Sequence, residues 1–127
     1  MYELTIIAEF EAAHRLPEYP GKCCRLHGHN WKVEVTIAGT KLNKQGMVID
    51  FREFKSAVGK VIDQLDHYYL NELEAFQEVY PTAENIAKYI YDKLNDHPSF
   101  TDASDLNVRC ITVWESPRSA VKYCPGE

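Results

Sequence analysis

Apolar residues recur at every second position near both ends of this chain and at helical spacing through its middle. Tyr2, Leu4, Ile6, Ala8, Phe10 and Ala12 alternate with their neighbours, a period of two that predicts a half-buried strand over residues 1–14 and carries His14 onto its apolar face. A second alternation over 27–38 puts Trp31, Val33, Val35 and Ile37 on one face and Lys32, Glu34 and Thr36 on the other. The polar stretch 39–46 reads as a turn, and 47–49 as a short third strand. Asp50 with Glu53 three residues on has the spacing of a helix N-cap and capping box, and Phe51, Phe54, Val58, Val61, Ile62 and Leu65 form the apolar stripe that follows. Pro81-Thr82 opens a second helix, with Thr82 as cap, Ile86, Ala87, Ile90 and Leu94 facing inward, and Pro98 at its end. Strands over 108–115 and 120–123 close the chain around a Ser116-Pro117-Arg118 turn. Strands, two helices, then strands predict an α+β architecture in one domain over 1–127, an antiparallel sheet with both helices on one face. The bare face and edges of that sheet call for further copies of the chain.

Composition narrows the possible partners. A formal charge of −5 argues against a nucleic-acid partner, because phosphate backbones are held by basic surfaces. Lys22, Arg25 and Lys32 still offer local positive potential to a small phosphorylated substrate. No apolar run is long enough to span a bilayer, and the opening MYELTIIAEF has neither the basic start nor the apolar block of an export signal. A cytoplasmic location is expected, with the four cysteines reduced and Cys110 and Cys124 acting as packing residues.

The chemistry concentrates in CCRLHGH. His27 and His29, one residue apart on an extended segment, point to the same side. With His14 they make three imidazoles, and three protein ligands with one open position are the pattern of a catalytic rather than a structural zinc site. His97, before Pro98 in a polar stretch, reads as a surface or core residue. A thiol beside a metal and Arg25 has its thiolate favoured, which makes Cys23 or Cys24 a candidate nucleophile or acid/base; the residues do not choose between the two. Asp66-His67 lies in a loop and can relay protons. Glu115, at the end of an apolar run, can grip the two parallel N–H donors of a heterocycle or face water.

Several segments together, FEAAHRL, CCRLHGHNWKVEV, GMVIDFREFK, LDHYYLN, PTAENIA and VWES, resemble the 6-pyruvoyltetrahydropterin and 6-carboxytetrahydropterin synthase family across essentially the whole chain. The resemblance implies a tunnelling fold, in which four-stranded, two-helix subunits join their sheets into a barrel, as trimers stacked into hexamers with active sites between subunits. It implies zinc ligands at His14, His27 and His29, a catalytic cysteine at Cys23 with Asp66 and His67 from a neighbouring subunit, and pterin contacts at Glu115 and Thr82. Cys24 departs from the family pattern. Three residues between Cys23 and His27 resemble the carboxy-forming members, which implies a carbon–carbon lyase of 7-deazaguanine (queuosine) biosynthesis that converts 7,8-dihydroneopterin triphosphate and releases acetaldehyde and triphosphate. Pyruvoyl formation and a non-catalytic zinc or pterin-binding role are the alternatives.

Overall fold

The structure, a computed structural model, describes residues 1–101 and 105–126, the side chain of Cys23 excepted. Its centre is a four-stranded antiparallel sheet in the order β1 (Tyr2–His14), β2 (His27–Gly39), β3 (Asn107–Ser116) and β4 (Ser119–Tyr123). Between β2 and β3 the chain forms α1 (Phe51–Ile62), α2 (Ala83–Asn95) and a short α3 (Pro98–Thr101). α1 lies against β1, and α2 lies against β3 and β4. No helix among the described residues is long and apolar enough to cross a membrane.

The alternation does what its period requires. Trp31, Val33, Val35 and Ile37 are fully buried beneath the helices with Ile111 and Val113. Lys32 and Thr36 turn to the bare face, where Lys32 sits 5.6 Å above the Trp114 ring and the Thr36 hydroxyl meets that of Thr5 at 3.1 Å. Both predicted caps form: Asp50 accepts from the Arg52 N–H, and Thr82 accepts from the Asn85 N–H at 3.1 Å. Each satisfies one of the N–H groups that a helix start leaves open.

Four expectations change. Residues 47–49 form no strand. Pro98 starts α3 rather than ending α2, a position where proline loses no hydrogen bond. Phe51, at the first turn of α1, is 49 % exposed instead of inward, while Phe54, four places into the element, is fully buried. Cys110 and Cys124 form a disulfide with Cα atoms 4.4 Å apart. The β3–β4 register pairs Ile111 with Tyr123, which sets the next two residues opposite each other on the bare face, a cross-strand relation that strand patterns alone do not supply.

Candidate active site

Register, more than spacing, gathers the histidines. β1 and β2 pair His14 with His27 and Ala12 with His29, so the three imidazoles occupy directly opposed and diagonal positions on one face of the sheet. Their ring centroids lie 4.6, 5.1 and 4.8 Å apart. The small Ala12 side chain leaves room above, and Trp31, 5.1 Å from both His14 and His29, forms the floor. Trp31 is itself fixed, donating its indole N–H to the Ala12 carbonyl at 3.2 Å.

Two of the rings are oriented by backbone. His14 Nδ1 lies 2.8 Å from the Pro81 carbonyl and His27 Nδ1 lies 2.7 Å from the Arg25 carbonyl. A carbonyl only accepts, so each Nδ1 carries the proton and each Nε2 is left with a lone pair, the arrangement outer partners impose on metal-binding imidazoles. Burial lowers the pKa of His14 and His29 from the ordinary 6.5, opposed at His14 by the Pro81 hydrogen bond and at His29 by the Glu115 carboxylate. Both are therefore neutral at pH 7, which is the ligating form. Among the described residues, His14 Nε2 and His29 Nε2 are buried without a hydrogen-bond partner. One ligating atom from each histidine falls within 4.8 Å of the others, slightly wider than the roughly 3.4 Å between two nitrogens on one tetrahedral zinc. Three converging imidazole nitrogens are a donor set that fits a divalent cation.

The remaining predicted residues divide into those beside the cluster and those apart from it. Glu115 Oε1 stands 3.9 Å from His29 Nε2, at the rim. Thr82 adjoins Pro81, whose carbonyl holds His14, but its hydroxyl serves as the α2 cap. Asp66 and His67 pair with each other at 2.9 Å and with Glu11. His67 and Glu11 border an open cleft of about 550 Å³ that His29 also lines, together with Gly28 and Asn30; neither His14 nor His27 lines it. The Cys23 side chain lies outside the described residues; its backbone belongs to a single turn, Lys22–Cys24. Cys24 is half-buried and donates its thiol to the Gly21 carbonyl of that same turn at 3.0 Å. Lys32, expected near the motif, faces the other side of the sheet above Trp114.

The 6-pyruvoyl tetrahydropterin synthase family model matches residues 3–125. The chain belongs to this family. It is 38% identical over 119 residues to the 6-carboxy-5,6,7,8-tetrahydropterin synthase of Synechocystis sp., covering 90% of this chain and 86% of that one. It is 34% identical over 145 residues to the Haemophilus influenzae protein of the same name, covering 97% and 99%. Among solved structures, the Caenorhabditis elegans 6-pyruvoyl tetrahydropterin synthase superposes with a TM-score of 0.83 at 29% identity, covering 98% of this chain and 96% of that one.

Sequence reasoning missed the parts of the site that are backbone or that act from a distance. The carbonyls of Pro81 and Arg25 have no side-chain signature. Asn71 clasps the residue after His14, accepting from the Arg15 N–H and donating to the Arg15 carbonyl, both at 2.9 Å. Arg15 in turn donates from Nε to the Cys24 carbonyl at 3.1 Å, tying the cysteine turn to the end of β1. The only available signal was an asparagine in a loop near a candidate site.

Proposed function

We propose that this chain is a 6-carboxy-5,6,7,8-tetrahydropterin synthase: a lyase that converts 7,8-dihydroneopterin triphosphate to 6-carboxytetrahydropterin, releasing acetaldehyde and triphosphate. Supporting this are the relatives that carry that name and one observation above the rest, the pair of buried, unpartnered imidazole nitrogens facing a third histidine. In this reading His14, His27 and His29 hold zinc, which when bound supplies Lewis-acid polarisation of the substrate's side-chain oxygens. The other roles belong to the chain's own groups. Glu115 anchors the pterin ring by accepting from its parallel N–H donors and so sets the reacting carbons over the histidines. Thr82 adds a second pterin contact from the start of α2. Cys23 takes a proton from the side chain; Cys24, whose thiol is turned into its own loop, is the less suited of the two. Asp66 and His67 carry protons to and from the substrate.

The working form is a cytoplasmic homohexamer, a dimer of trimers whose sheets close a barrel, with Asp66 and His67 reaching the site of a neighbouring subunit. The whole chain forms one catalytic unit within 7-deazaguanine (queuosine) biosynthesis. The test is to incubate purified protein with dihydroneopterin triphosphate and identify products by mass. Acetaldehyde with a 6-carboxy product is expected; a product that keeps all three side-chain carbons would favour the pyruvoyl reading, for which the solved Caenorhabditis elegans structure is the supporting observation. Replacing Cys23 by Ala should abolish turnover with metal retained, and unchanged biological function in that variant would instead indicate a binding protein.

A further inference from the structure

Glu11 engages the Asp66-His67 loop through three of its groups at once. It sits on the outer edge of β1, so its backbone groups point away from β2. Its carbonyl accepts from the His67 N–H at 2.6 Å and its N–H donates to Asp66 Oδ1 at 3.0 Å. Its carboxylate Oε2 lies 3.3 Å from His67 Nε2, while Asp66 Oδ1 lies 2.9 Å from His67 Nδ1. Two residues along, the Ala13 N–H donates to the Tyr68 carbonyl at 3.2 Å, and Ala13 bridges Tyr69 in parallel. The loop is fastened to the strand on both sides of His67.

That fastening coincides with strain. Among the described residues, His67 is the one non-glycine with positive φ, at 64°. A side chain in this left-handed region is strained and persists only where the surroundings over-determine it. The two carboxylates also select one face of the ring, since turning the imidazole over exchanges Nδ1 and Nε2 for carbon atoms and loses both contacts. The Glu11 N–H is the leading cause that holds the Asp66 carboxyl below its ordinary range, which keeps that partner ionised.

We propose that Glu11 is a positioning residue for His67, anchoring its strained backbone and, opposite Asp66, fixing the imidazole at the cleft shared with His29. The proposal rests on the synthase reading, in which His67 moves protons. Both side chains of the pair are largely exposed, 73% and 65%, and exposed ion pairs add little to stability. The effect therefore belongs in catalysis and ring order rather than in melting.

The test uses the zinc-loaded full-length protein. Glu11→Ala keeps the backbone contacts and removes the carboxylate; kcat is expected to fall on the order of 10- to 100-fold, the scale of a misplaced catalytic group, with KM, metal content and Tm unchanged. Glu11→Gln keeps an oxygen that accepts from Nε2 and should recover most of the loss. Long-range 15N–1H spectra of the His67 ring should show one ordered ring in the wild type and exchange-broadened signals in Glu11→Ala. Wild-type kcat in Glu11→Ala, a loss that tracks Tm or KM, or equal losses in the Ala and Gln variants would each overturn the proposal. Should the wild type lack turnover altogether, the synthase reading fails, and the ring spectra still decide: unaltered His67 signals in Glu11→Ala refute the clamp, and broadened ones support it.

Discussion

The two ends of the β1–β2 pair are built from similar strands and treat their polar groups in opposite ways. At the Gly39 end the Asp105 carboxylate is met by three donors. Asp105 accepts from the Thr40 N–H and the Lys41 N–H, both at 2.7 Å, and from the Thr40 hydroxyl at 2.6 Å. A β-carbon on Gly39 would stand 2.8 Å from Val48 Cγ1, so a larger residue there would force Val48 to shift. The Cys110–Cys124 bond, beside Thr36 in the sheet, closes the same end covalently. At the His14 end two imidazole nitrogens are buried with no partner among the described residues, a state that costs roughly 1–3 kcal/mol for each polar group left unsatisfied. One end is closed by partners within the chain, and the other carries a histidine cluster that could hold a metal ion.

The strongest way to break this contrast is to fill the open end. His29→Leu should remove a ligand, and because losing even an outer-sphere partner costs about 10- to 100-fold in metal affinity or activity, turnover and bound metal should fall by more than about 100-fold. The metal-free variant should melt no lower than the metal-free wild type, since an orphaned nitrogen has been exchanged for carbon. Elemental analysis and metal-free melting curves check both halves. Next in size is the closed end: reducing the Cys110–Cys124 bond, whose 14-residue separation closes a short loop, should cost about 3 kcal/mol in denaturant unfolding and leave metal content unchanged. Thiol counting before and after reduction confirms the bond itself.

Thr82 sharpens the comparison by linking a structural cap to the site. Thr82→Ala should destabilise the fold by about 1 kcal/mol and weaken metal binding, because the neighbouring Pro81 carbonyl orients His14; Thr82→Ser should restore both in calorimetric titrations. The smallest effect is the acid response of Asp105. The Thr40 hydroxyl first, then the Lys41 and Thr40 N–H groups, hold its carboxyl below the ordinary 3.8. A carboxyl lowered in the folded state contributes stability that is full above its unfolded value and is lost as pH falls through the folded one. Melting temperatures should therefore drop below about pH 3.8 in the wild type, with a shallower drop in Asp105→Asn.

The strands, both long helices and their caps were legible because each is written in local periodicity. His27 and His29 were legible as a pair, and His14 as an apolar-face residue of its own strand, for the same reason; the β1–β2 register is what set His14 beside them. Glu115 was found at the rim of the cluster, whereas Thr82 turned out to spend its hydroxyl on Asn85. The disulfide escaped notice because Cys110 and Cys124 looked like ordinary strand residues until the register set them face to face. Glu11 was hidden similarly: as one polar residue in an alternating strand it resembled Glu9, and only the return of the chain at Asp66-His67 gave it partners.

Residue order determined which side chains share a face, where helices begin, and that three imidazoles accompany a cysteine and an Asp-His pair. Tertiary structure decided the rest: that His14 stands across from His27, that the Pro81 carbonyl fixes its tautomer, and that the edge of β1 holds His67 in a left-handed turn. The division follows from range. Periodicity and capping act over a few residues and are present in any short window of sequence, whereas register and backbone partners join residues as distant as 14 and 81 and exist only once the sheet has formed.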